Sequence, residues 1–267
     1  MTTKNPVSLG HTNNVNMEQP QKSYRLGNFQ VREYEEMAST NTFAASLRDN
    51  EFDDRTVILT WNQTQGRGQV GNHWESAPYQ NIAMTLLLKP KQLGASRQFA
   101  MSMVIALGCY DFLSHHLKQV SVKWPNDIYV GNDKIAGILI EHKITGCYVG
   151  NSINGIGLNV NQEAFLSDAP NPISMRQILG HELPLQQMLE ELLECLDLRY
   201  AAIDDYEALE KDFLSHLYRR EGVYNWKDEH GEFRASIAGI DEYGQLILTD
   251  TDGRQRLYAF KEVVYLP

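Results

Sequence analysis

Apolar and polar positions along the chain sort into alternating runs, helical stripes and polar breaks. FQVREYEEM (29–37) alternates with period two and predicts a strand. Ser39-Thr40-Asn41-Thr42 then supplies cap chemistry for a short helix reaching about Asn50. RTVILTW (55–61) and NIAMTLLL (81–88) are mostly apolar and β-branched, the pattern of buried strands, the second stopped by Pro90. Between Ala95 and Leu117, Phe99, Met103, Ala106, Leu107, Tyr110, Leu113 and Leu117 recur at helical spacing. SVKW, DIYV, KIAGILIEH and the stretch 147–160 read as successive strands. The period turns helical again from Leu185 to about Tyr218, with Met188, Leu189, Leu192, Leu193 and Leu196 forming a packing stripe. From Arg220 onward, short alternating strands are separated by Tyr243-Gly244 and Asp252-Gly253 turns, which suggests a small β-barrel module over residues 220–267.

Composition narrows the function classes. With 42% hydrophobic residues in 267, the chain can bury a substantial core. A formal charge of −10 argues against a general affinity for nucleic-acid phosphates, so no DNA partner is expected. No apolar run reaches the length of a membrane span. The polar leader, residues 1–28, is rich in Asn, Gln and Thr, lacks the apolar segment of a secretion signal, and is expected to be disordered. A cytoplasmic location follows as the default. Cys109, Cys147 and Cys195 are widely separated, without C-x-x-C spacing, and are expected to be buried, inert thiols.

GRGQVG (66–71) fits G-x-G-x-x-G, but its flanks exclude the usual readings. Four polar residues separate it from the preceding strand and another polar stretch follows, so the strand–turn–helix of a dinucleotide fold is missing. No kinase lysine, H-R-D or D-F-G motif accompanies it. What remains is a loop whose glycines allow close backbone approach, with Arg67 as a forked cation suited to carboxylate or phosphate.

Three further segments carry chemistry. In Lys123-Trp124-Pro125-Asn126-Asp127, the Trp-Pro step fixes the direction of the next two polar side chains. Asp127 offers a carboxylate to a metal or an amine, and Asn126 an amide. Lys134 stands at the mouth of a strand, with Gly137 allowing a ligand to lie against the backbone. Gly155-Ile156-Gly157-Leu158-Asn159 repeats that arrangement.

Ser39-Thr40-Asn41, Gln63 with Gly66-Arg67-Gly68, KWPND, K-x-A-G-I-L-x-E (134–141) and G-I-G-x-N (155–159), in this order, resemble the biotin–protein ligases. The resemblance covers about residues 29–206. It implies an α+β fold of class II synthetase-like type, a mixed sheet backed by helices over 29–219, followed by an SH3-like barrel. It also implies two reactions: biotin and ATP, with Mg²⁺, give biotinyl-5′-AMP, and a lysine of a biotin carboxyl carrier domain then takes the biotinyl group. Transferred to this sequence, the family's roles place Ser39, Thr40, Asn41, Gln63, Gly66, Arg67, Gly68, Gln69, Lys134 and Gly137 around biotin. Arg67, Gln69, Trp74, Asn126 and Asn159 fall near the nucleotide. Lys134 bridges carboxyl and α-phosphate, and Asp127 meets the acceptor amine or Mg²⁺. Many relatives carry arginine where Gln69 stands, so the adenylate is expected to be held less tightly here. The sequence contains no helix-turn-helix motif ahead of the catalytic region, and it leaves a homodimer open. A lipoate–protein ligase or octanoyl transferase of the same fold, and a non-catalytic biotin- or nucleotide-binding regulator, are the alternatives. KWPND and GRG argue against the lipoate reading.

Overall fold

A computed structural model describes residues 19–69, 71–167 and 170–267. The chain order is β1 Lys22–Leu26, β2 Phe29–Tyr34, α1 Thr40–Ser46, β3 Thr56–Thr60, β4 Gly66–Arg67, β5 His73–Trp74, β6 Ile82–Leu88, α2 Phe99–His116, β7 Val120–Lys123, β8 Asp127–Val130, β9 Asp133–Thr145 and β10 Tyr148–Leu158. Then follow α3 Met175–Leu179, α4 Leu185–Ala201, α5 Tyr206–Ser215, β11 Tyr224–Asp228, β12 Gly231–Ile240, β13 Leu246–Asp250, β14 Gln255–Tyr258 and β15 Val264–Tyr265.

Eight strands form one sheet in the order β1-β2-β3-β6-β10-β9-β8-β7. The β2–β3 pair is parallel, joined through α1, and the other pairs are antiparallel, so the sheet is mixed. Both faces of its centre are covered, which explains why TVILT does not alternate. Val57, Leu59, Leu86 and Leu88 share the main core with α2 and α4, whereas Ile58 and Leu87 join Met37, Ala44 and Phe52 beside α1. The leucine stripe of α4 is packing, as expected: Leu189, Leu192, Leu193 and Leu196 are buried.

Several boundaries differ from the sequence reading. Residues 1–18 of the expected leader lie outside the described residues, but its last part is not disordered. Lys22–Leu26 pairs with β2 across the Gly27-Asn28 turn, where Gly27 takes φ 53°. Tyr24 and Leu26 pack against the core, and the Tyr24 hydroxyl donates to Glu33 at 3.0 Å. The long helix opens with a 3-10 turn at Ala95–Arg97. The segment Leu185–Tyr218 is two helices, because Asp205 caps a new start by accepting from the Ala208 N–H at 3.2 Å. Cys109 and Cys195 are buried, but Cys147 is exposed at the β9–β10 turn.

The tail is a five-stranded antiparallel sheet in the order β14-β13-β12-β11-β15, built on the fully buried Trp226. Its edge strands do not pair with each other, so the barrel is open among the described residues. The β12–β13 turn docks it onto the eight-stranded sheet domain: the buried Trp124 indole N–H donates to the Gly244 carbonyl at 2.8 Å.

Candidate active site

The floor of the site follows from register. A bulge between Ile128 and Tyr129 sets Asp127 opposite Gly137, and Gly137 in turn faces Gly157 on β10. Directly opposed residues present their side chains on one face. Asp127 therefore heads a row whose next two positions are bare backbone. The Trp74 indole lies over that gap: a Cβ on Gly157 would stand 2.3 Å from its Cε2, and one on Gly137 2.8 Å from its Cζ3. Side chains at these positions are excluded by this packing. The indole Nε1 is buried without a partner, and so is Asn159 Oδ1 just beyond β10. An orphaned donor and an orphaned acceptor are costly unless something else satisfies them.

At one end of the floor stands the start of α1. The Ser39 hydroxyl caps the helix by accepting from the Thr42 N–H. The Thr40 N–H and hydroxyl both donate to Gln63 Oε1, at 2.9 and 3.2 Å, so the Gln63 amide is fixed with its oxygen turned away. A Cβ on Gly66 would stand 2.3 Å from the Trp74 carbonyl oxygen and 2.8 Å from that amide nitrogen, which makes Gly66 a packing requirement. Asn41 is committed to protein partners. Its Nδ2 donates to the Leu139 carbonyl at 3.2 Å and to Glu141 at 3.3 Å, and its Oδ1 accepts from Thr85 at 2.6 Å. Arg67, on the hairpin formed by β4 and β5, donates to Thr42 Oγ1 at 3.3 Å and to Glu141 Oε1 at 3.2 Å.

At the other end, KWPND forms the turn between β7 and β8, and its Trp124–Pro125 peptide is cis. Asn126 is locked to Ile138 in both directions, its Nδ2 donating to the Ile138 carbonyl and its own carbonyl accepting the Ile138 N–H. Lys134 Nζ pairs with Asp127 Oδ1 at 2.8 Å and stands 5.8 Å from the Trp74 ring centre. Lys123 donates to the Tyr129 hydroxyl at 3.0 Å and also faces the rings of Tyr218 and Tyr265. Burial there, opposed by nearby Asp127, lowers the pKa of its ammonium below the ordinary lysine value.

These groups converge on one cleft of about 480 Å³, within the range that holds a small-molecule ligand. Every residue singled out from the sequence lines it except Gly66 and Asn159, which stand behind the lining. Sequence reasoning gave no role to Lys123 or Glu141, although both stand in the motifs it quoted, and did not place the tail's share of the wall, Phe260, Lys261 and Tyr265. Glu141 is outside the lining and holds Arg67 from behind. Alternation along β9 could have found Glu141, which shares a face with Gly137 and Leu139. No local pattern announces the tail residues, because their approach depends on how the second sheet docks. Among the described residues there is no group of three or more His, Cys, Asp or Glu arranged to hold a metal, and no helix long and apolar enough to cross a membrane.

Comparison with known proteins agrees with this geometry. Residues 34–159 match the Biotin/lipoate A/B protein ligase family. The fold is similar to a biotin protein ligase from Aquifex aeolicus in complex with biotin and ATP, with TM-score 0.73 at 21% identity over 88% of this chain and 99% of that one. The chain is 26% identical over 231 residues to the bifunctional ligase/repressor BirA of Bacillus subtilis, covering 84% of this chain and 70% of the relative. It is 31% identical over 226 residues to the biotin–[acetyl-CoA-carboxylase] ligase of Paracoccus denitrificans, covering 81% of this chain and 93% of the relative. Likeness of that degree along nearly the whole of a relative, with the motif residues gathered around one cleft, makes the chain a member of the biotin–protein ligase family of enzymes.

Proposed function

We propose that this protein activates biotin with ATP and transfers the biotinyl group to a lysine of a biotin carboxyl carrier domain. The observation that carries the reading is the layout of the cleft. A hydroxyl- and amide-lined end (Ser39, Thr40, Gln63) suits a polar ring, and the Trp74 indole seated on the glycine floor offers an aromatic surface that suits a flat base. Four cations, Arg67, Lys123, Lys134 and Lys261, line the same cleft, where a carboxylate would meet phosphates.

In the first step a biotin carboxylate oxygen attacks the α-phosphorus. An O–P bond forms, the bond to the bridging oxygen breaks, and pyrophosphate leaves with the electron pair. Arg67 and Lys134 offset the negative charge that builds at phosphorus, an effect that typically contributes about 2.7–4 kcal/mol per donor. Holding both substrates in one cleft contributes up to about 7–11 kcal/mol more. Trp74, which lines the cleft, supplies an aromatic surface for the base, while Asn159, behind the lining, ties the end of β10 to the Ile173 carbonyl through its Nδ2. Mg²⁺ would be held by Asp127 together with the nucleotide's own phosphates, since one carboxylate fits an ion that keeps most of its water and phosphate ligands; it supplies further charge neutralisation.

In the second step the acceptor ε-amine attacks the acyl carbon, a C–N bond forms, and AMP departs. Asp127 is placed to take the amine's proton. Because Lys134 holds Asp127 at rest, recruitment of Lys134 to the adenylate releases the carboxylate for this role. The test is to incubate the protein with ATP, Mg²⁺, biotin and a carrier domain. A carrier heavier by one biotin is expected; a carrier of unchanged mass overturns the reading.

A further inference from the structure

Glu141 closes the K-x-A-G-I-L-x-E run, yet neither step above uses it. Its Oε1 accepts from Arg67 Nη2 at 3.2 Å and its Oε2 from Asn41 Nδ2 at 3.3 Å. Asn41 is only 3% exposed and is itself held by the buried Thr85 hydroxyl at 2.6 Å. A continuous chain of hydrogen bonds thus runs from the sheet interior through Asn41 and Glu141 to the guanidinium of the glycine loop.

Stability does not explain this arrangement. The Arg67 and Glu141 side chains are 44% and 38% exposed, and ion pairs so placed contribute little. Orientation explains it better. One carboxylate oxygen is anchored on a buried amide, so the other presents a fixed acceptor to a long, otherwise mobile side chain. Of the five N–H donors of a guanidinium, Arg67 commits one to Glu141 and one to Thr42 among the described residues. The rest remain for a ligand in the cleft that Arg67 lines.

We propose that Glu141 is a positioning residue that pre-orients Arg67 for the carboxylate of the ligand. The inference rests on the proposed biotin-binding reading. Without Glu141 the arginine must be ordered at the moment of binding, a cost equivalent to about tenfold in affinity. A carboxylate acting instead as an electrostatic competitor would have the opposite sign.

Calorimetric titration of biotin, and of its uncharged primary amide, into the intact protein and its variants distinguishes these roles. Glu141→Ala is expected to weaken biotin about tenfold and to leave the amide within about twofold. Glu141→Gln, which keeps an oxygen for Arg67, is expected to lose less than about threefold. In an Arg67→Ala background, Glu141→Ala is expected to have no further effect, the signature of coupling through one contact. Unchanged or tighter biotin binding in Glu141→Ala, equal losses for both ligands, or additive losses in the double variant each overturn the proposal. Absence of biotin binding in the unmodified protein would overturn the functional reading as well.

Discussion

Lys134 Nζ lies 2.8 Å from Asp127 Oδ1, and each side chain is only about a quarter exposed, at 25% and 28%. The pair joins the last residue of KWPND to the lysine at the second position of β9, so both charges sit at the edge of the glycine floor. Partial exposure limits what the pair adds to stability to about 1 kcal/mol. Lys134→Ala should therefore stay folded, with its melting temperature changed by a few degrees at most. Its ATP–pyrophosphate exchange should fall about 10²–10³-fold, the loss expected for one charge-stabilising donor. Exchange at the normal rate would remove Lys134 from the chemistry.

Asp127→Asn separates the two half-reactions. Asparagine keeps the shape and an acceptor for Lys134 but cannot take a proton. Transfer from preformed biotinyl-5′-AMP to the carrier should slow by about 10²-fold or more, while adenylation falls only a few-fold, because phosphates and water supply most of the ligands of Mg²⁺ and the asparagine oxygen can still serve as one. Equal losses in both steps would assign Asp127 to adenylation, with Mg²⁺, rather than to the amine.

Gly157→Ala places a methyl group 2.3 Å from Trp74 Cε2. The indole must shift, at a typical overpacking cost of about 1–3 kcal/mol. Because Trp74 covers the end of the floor proposed for the nucleotide and Gln63 the other end, KM for ATP should rise about tenfold or more, and KM for biotin should change far less. If the two rise together, the indole serves the whole cleft rather than the base.

How far the site was legible depends on the range of each interaction. The site roles of Ser39–Asn41, Gln63 and Arg67 were legible through the family resemblance, which short contiguous motifs carry. The stacking of Asp127, Gly137 and Gly157 in one row was not. It depends on the bulge between Ile128 and Tyr129, without which Asp127 would face Ala136. Strand β1 was overlooked because Asn- and Gln-rich composition masked the Tyr24/Leu26 alternation. The functional burden placed on Asn41 and Asn126 was likewise too simple: Asn41 contacts three protein groups and Asn126 is bound to Ile138. Both shape the cleft by holding its walls together.

Gln69 lines the cleft beside Arg67 without carrying a charge. Replacing it with arginine adds a cation next to the phosphates, and a hydrogen bond to a charged partner contributes about 1.5–3 kcal/mol. Gln69→Arg should therefore release biotinyl-5′-AMP at least about tenfold more slowly, measured by chase of labelled intermediate. Equal or faster release would show that this position does not govern retention.

A buried hydrogen bond from Trp124 Nε1 to the Gly244 carbonyl joins the tail sheet to the KWPND turn. Phe260 packs against the same indole, with ring centres 6.3 Å apart, and also lines the cleft. Trp124→Phe keeps most of the apolar contact but deprives the carbonyl of its donor, at a cost of about 1–3 kcal/mol. If the tail only shields the site, this loss appears in the melting temperature and leaves the kinetics alone. If it also sets the direction of the KWPND turn, kcat for transfer falls as well, because Asp127 is three residues from Trp124 and shares its hairpin. The short distance along the chain and the stiffness of the Trp124-Pro125 step favour the second outcome. Trp124→Phe is thus expected to lower the transfer rate several-fold at temperatures where it is fully folded, and an unchanged rate there would confine the tail to a structural role.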